Sequence, residues 1–233
     1  MAWHAKPSGS YDYSTGDGLD NLWEMATGLS GWGDAAIAGA IGNSVHEGGM
    51  NPWRWQYDST TQIPNGGYGL FQYTPGRDYI TLSGATPNLS VTSQTTGATP
   101  QDGAFQVDVL YNDTLGKWVS TCWRSYWDTS LYSSLYAYRQ SLLNQYGNGS
   151  SITMAQYAAI QTDVEACAFI FLACFEGPGR PNYTPRKDTC LAVYDILTGG
   201  TPPPTPPTPP PTPPLPGDFP LAILFNRDKW RKC

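Results

Sequence analysis

The chain holds only two histidines, His4 and His46, in 233 residues, and its five cysteines, Cys122, Cys167, Cys174, Cys190 and Cys233, contain no CxxC pair. Two histidines in that arrangement cannot make an HExxH zinc site, and an odd number of scattered cysteines supports neither zinc ligation nor a complete disulfide framework. No metal or other cofactor is expected. Charged residues are sparse, at 14%, with a net charge of −6 and a pI near 4.7. That sign opposes long-range attraction to phosphate backbones or anionic surfaces, so nucleic acid is not an expected partner. Apolar runs are short: Ala166–Phe175 and Phe219–Phe225 fall well below the ~18 residues that span a bilayer, so no membrane span is expected. Met1 to Ser14 lack a charged stretch followed by an apolar one, so no signal peptide is expected either.

Against those absences stand fifteen Tyr, nine Trp, 25 Gly and 21 Pro. Tyr and Trp suit binding by stacking and hydrogen bonding in a chain that has little charge to use. Many of the prolines lie in TPPPTPPTPPPTPPLP (201–216), which lacks backbone donors and has fixed φ, and so predicts an extended polyproline spacer reaching roughly 50 Å. The expected organisation is an N-terminal segment (1–16), one helical domain (17–199), a Pro/Thr-rich linker (200–216) and a short C-terminal piece (217–233). That last piece, FPLAILF followed by NRDKWRKC, reads equally as a docking peptide for another protein or as a disordered tail.

Periodicity in the main domain is chiefly helical. Helices are predicted from Asp17 to Gly28, from Asp34 to Glu47, and over 101–115, 130–146, 153–175 and 185–198. In the second, Asp34 is the expected N-cap and Ala36, Ile37, Ala40, Ile41 and Val45 form one buried stripe, ended by Gly48-Gly49. Residues 50–80 carry Pro52, Pro64, Asn65-Gly66-Gly67 and Gly69 among aromatics, a hairpin-like pattern, and 83–100 reads as a loop. The expected fold is α+β, mainly α, with a small β-hairpin lobe flanking a cleft.

Glu47 is the strongest chemical candidate. A carboxyl at the C-terminal end of an apolar helix meets the negative helix pole, which favours its protonated form, and an aromatic, Gly-rich segment follows it directly. A second carboxyl, if one is used, is expected at Asp58, with Asp78 a weaker candidate; both also fit turn or capping roles. His46 lies about 100° round the helix from Glu47, so it is not expected to share its site. Cys167 and Cys174, seven apart on an apolar helix, read as buried core thiols.

Three stretches, GNSVHEGGMNPWRWQYD (42–58), GYGLFQYTPGRDYI (67–80) and FIFLACFEGPGRPN (169–182), occur in that order. Together they resemble the tail-tip lysozyme domain of phages, within the broad lysozyme superfamily that includes goose-type lysozymes and lytic transglycosylases. The resemblance covers about residues 17–198. It implies a lysozyme-like fold and a muramidase-type glycosidase that cuts bacterial peptidoglycan with Glu47 as general acid. Gly67, Gly69, Leu70 and Gln72 match the family's hairpin, with Gln72 presenting its amide to the sugar or to water. Tyr73 and Thr74 are expected in the same wall, Tyr73 equally as a core-filling aromatic, and Trp53, Trp55, Gln56 and Tyr68 as further sugar contacts, with at least one of Trp53, Trp55 and Tyr68 expected to pack instead. Glu176 matches the late motif, with a structural role. The implied setting is a phage tail, the protein being made in the host cytoplasm and attached to another tail protein through its C-terminal segment. Alternatives are a lytic transglycosylase yielding 1,6-anhydro products, a free endolysin, a chitin-cleaving relative, and an inactive glycan-binding tail protein.

Overall fold

The computed structural model describes residues 3–6, 8–58, 65–76, 78–79, 102–121, 133–177 and 181–199, all within the compact unit Met1–Pro202. The expected loop at 83–100, the Pro/Thr run and the C-terminal piece lie outside these residues, as do Cys122 and Cys233. The described elements are α1 (Gly16–Gly28), α2 (Asp34–Glu47), a 3-10 turn (Gln56–Asp58), α3 (Asp102–Tyr111), α4 (Ser133–Tyr146), α5 (Met154–Ala158), α6 (Val164–Phe171) and α7 (Tyr183–Leu197). The domain is mainly α, as expected of a lysozyme-like fold.

Burial follows sequence spacing in α1, where Gly18, Asn21, Leu22 and Met25 repeat at i, i+3, i+4 and i+7 and are all buried. The central helix α2 departs from its expected single stripe, because every residue from Ala35 to Ser44 is buried. It is enclosed chiefly by α6 and α7. Small residues permit that approach: a Cβ on Gly39 would lie 2.8 Å from Cys167 Cβ, and one on Gly42 would lie 2.4 Å from Cys190 Sγ. Gly33, rather than Asp34, is the N-cap, and Asp34 sits in the first turn. Cys167, Cys174 and Cys190 are buried thiols outside any disulfide, consistent with an inert core role.

The helix expected over 153–175 is two helices. Thr153 and Gln156 form a capping box that starts α5, and Asp163 restarts the chain by accepting from Ala166 N (3.0 Å). Beyond Phe171, α6 widens into a π-helical turn, Leu172–Glu176, closed by Gly177 N donating to Leu172 O (2.8 Å). Such widened turns often re-aim a side chain at functional sites. This one carries Glu176.

The expected hairpin lobe is reduced, among the described residues, to isolated antiparallel bridges pairing Trp55 with Tyr68 and Tyr68 with Tyr73. Positive φ at Tyr57 (61°), Asp58 (52°), Gly69 (81°) and Gln72 (46°) turns the chain before a ladder can extend. The N-terminal segment is clamped to this region. Asn51 Nδ2 donates to Lys6 O and Gly9 O (2.9 Å each), and Tyr11 N donates to Gly49 O (2.8 Å).

Candidate active site

The helix end and the bridged loop meet through Gly48, whose N–H donates both to Ser44 O within the helix and to Leu70 O (3.1 Å) across to the loop. A Cβ at Gly48 would meet Gly69 O at 2.4 Å, so only glycine allows this junction. The loop is held by hydrogen bonds rather than by a sheet: Gln56 N donates to Gly67 O (2.9 Å) and Gly69 N to Arg54 O (2.8 Å). Behind it, Gln106 accepts from Leu70 N (2.7 Å) and donates to Pro52 O (2.7 Å) and Asp102 (2.9 Å). Asp102 also accepts from the hydroxyls of Tyr68 (3.0 Å) and Tyr79 (2.7 Å). Burial pushes the Asp102 carboxyl up to about 6 against the pull of these three donors.

Between helix end and loop lies a cavity of about 310 Å³ lined by Glu47, Arg54, Gln56, Tyr57, Gly67, Gln72, Thr74 and Glu176. The family-matching residues Glu47, Gly67 and Gln72 are therefore brought together, along with Gln56 and Thr74. Gln72 sits differently from the expectation. Its amide group donates to Arg54 O (3.1 Å) and Gly69 O (3.0 Å), so both amide protons brace the loop. Trp55, Tyr68 and Tyr73 are only 1%, 1% and 3% exposed. They fill the core instead of offering faces to a sugar, and the Tyr73 hydroxyl donates to Gln106 O (2.9 Å). Trp53 is half-buried against the core and does not line the cavity. Among the described residues, the aromatic at the cavity is Tyr57, 85% exposed and not anticipated from sequence.

Asp58 also lies outside the cavity lining. Arg54 Nε donates to it (2.8 Å), as does Gly9 N (3.1 Å), and the Arg54 hydrogen bond holds its carboxyl below the usual range. It fastens the N-terminal segment to the loop. Asp78 is exposed and likewise not part of the lining. His46 turns to α7, where Nε2 meets Thr189 Oγ1 (2.9 Å), leaving Glu47 to face the cavity without it.

Among the described residues, the second carboxyl at the cavity is Glu176. Its Oε1 is sealed from solvent without a hydrogen-bond partner, and burial first, then the neighbouring Glu47 charge, push it well above the usual range, opposed by Arg186. Glu47 is ion-paired with Arg186, whose Nη2 donates to Glu47 Oε1 while Nη1 donates to Asn43 Oδ1 (3.1 Å). Arg186 is buried in the first turn of α7. It belongs to none of the three motifs, and nothing in its local sequence distinguishes it from a solvated helix arginine. Among the described residues no group of His, Cys, Asp and Glu could hold a metal ion.

A helical core that presents a glutamate from a helix C-terminus into a polar cleft, opposite a glycine-rich loop, has the architecture of lysozyme-type enzymes. The sequence profile of the phage tail lysozyme family matches residues 20–197, and the chain belongs to that family. It is a phage peptidoglycan-cleaving enzyme, of the glycosidase or lytic transglycosylase kind.

Proposed function

We propose that the protein is a muramidase-type glycosidase of a phage tail, which opens the bacterial wall locally as phage DNA enters, with Glu47 as general acid. The observation that supports this most is the position of Glu47: at the end of the buried helix α2, lining a cavity of about 310 Å³ together with a second carboxyl. The tail setting and the attachment through residues 217–233 rest on the family and on the spacer-like composition of 201–216.

A second reading, a lytic transglycosylase, is favoured by the state of the other carboxyls. Asp58 is committed to Arg54 outside the cavity, and burial pushes the Glu176 carboxyl well above the usual range, which disfavours the resting carboxylate that the base or nucleophile of a hydrolase requires. The sugar's own 6-hydroxyl then attacks, with Glu47 as acid and afterwards base. The catalytic assignment is tested by clearing of a purified peptidoglycan suspension. Glu47→Gln should lose at least about a thousandfold in rate while retaining its thermal transition, and clearing at the wild-type rate would refute it.

A further inference from the structure

Among the described residues, Glu47 and Glu176 line the cleft, Arg186 pairs with Glu47, and the lining Arg54 is paired with Asp58, so ionisation of both glutamates would leave one negative charge uncompensated. Resting on the reading of Glu47 as general acid, we propose that Glu47 and Glu176 hold one proton between them against Arg186, and that Glu176 is the store from which Glu47 receives it.

The hydrogen-bond pattern carries the case. Arg186 serves Glu47 and Asn43 through Nη2 and Nη1, while its Nε is buried without a partner. Glu176 Oε1 is a buried acceptor that is also without one. A stranded donor and a stranded acceptor in one charged cluster define a second arrangement, in which the guanidinium turns to Glu176 and releases Glu47. In the arrangement observed, Arg186 donates to Glu47 while Glu176 Oε1 has no donor, so the shared proton belongs on Glu176. In the other, Glu176 becomes the carboxylate and the proton resides on Glu47, ready for the glycosidic oxygen. The proton passes through water in the cavity that both carboxyls line, and no further reactant is needed.

The surrounding charges leave this exchange to the three groups. From the loop, Arg54 is paired with Asp58, and the buried Tyr73 hydroxyl is bonded to Gln106 O. From the segment after α3, Lys117 Nζ donates to Thr74 O (2.7 Å). From α2, His46 faces Thr189, and burial lowers its pKa, favouring the neutral ring. The π-helical turn is what points Glu176 at this centre, since its five-residue closure shifts the register of the last residues of the helix.

The test uses the full chain, and compares pH profiles of peptidoglycan clearing for wild type, Glu176→Gln and Glu47→Gln, together with infrared spectra at pH 8, where Asp102 is ionised. With the store removed, Glu176→Gln should move the basic limb at least about one pH unit lower and cost about tenfold or more at pH 7. A side chain with only a structural role would scale the activity and leave the limb in place, and that result overturns the proposal. Should Glu176→Gln fail to fold, the infrared comparison decides. Wild type should show a protonated carboxyl band that vanishes in Glu47→Gln, because Arg186 is then free to pair with Glu176, and persistence of the band overturns the store. Clearing by Glu47→Gln would refute the general-acid reading itself. An inactive Glu47→Gln beside an unmoved Glu176→Gln limb refutes only the store.

Discussion

The two walls of the cleft are built by different physics. One is the end of a helical core, α2 enclosed by α6 and α7, held by close approach of small and apolar residues such as Gly39, Gly42, Cys167 and Cys190. The other is a loop with almost no regular pairing, held by buried polar side chains centred on Asp102 and Gln106. The first resists changes of volume and the second resists loss of a hydrogen-bond partner. Glu47 and Arg186 come from the first wall, and the glycine and glutamine lining comes from the second.

The largest stability effect should come from the polar wall. Asp102→Ala strands the Tyr68 and Tyr79 hydroxyls and one Gln106 amide proton in a dry interior, and should cost about 3 kcal/mol in denaturant unfolding. The Asp102 carboxyl also gives this wall a pH signature. Because burial raises it from 3.8 to about 6, the folded protein holds that proton more tightly than the unfolded chain. The resulting stability is complete below about pH 4 and is lost as pH rises to about 6. Melting curves of wild type should fall across that window relative to Asp102→Asn, and parallel curves would contradict the assignment.

The helical wall should respond to one methyl group. Gly42→Ala gains about 1 kcal/mol of helix propensity but places Cβ 2.4 Å from Cys190 Sγ and 2.8 Å from Cys190 Cα. Backbone must then move, so the net effect should be a loss of about 2 kcal/mol, measurable by calorimetry. A stabilised variant would mean that α2 and α7 are less closely seated than described. The smallest effect belongs to the loop's outer edge. Asp58→Ala breaks an ion pair whose carboxylate is 46% exposed, and should cost well under about 1 kcal/mol with clearing activity within about twofold. A large loss of activity would restore Asp58 as a catalyst.

The same contrast explains what could be read from the sequence. Helices announce themselves by apolar period, and α2 ends at Gly48 as its glycine pair predicts. Burial of α2 on all sides does not, because alanine and glycine are silent about which face is covered. In the loop wall, Trp55, Tyr68 and Tyr73 look like sugar platforms until all three are seen to be buried, with Asp102 and Gln106, distant in sequence, taking up the hydroxyls of Tyr68 and Tyr73. Glu176 appeared in a motif, but its facing of the cavity depends on a π-helical turn that has no sequence period of its own. Arg186 is defined by the two carboxyls it meets across the fold, which no local pattern encodes.

The central claim is that Glu47 acts on a glycosidic bond, and it is tested most directly by mass spectrometry of soluble fragments released from purified peptidoglycan by wild type and Glu47→Gln. Glycan fragments released only by wild type are predicted, with 1,6-anhydro ends if the sugar's own hydroxyl attacks and reducing ends if water does. Equal release by both proteins, or fragments cut only in the peptide stems, would contradict it.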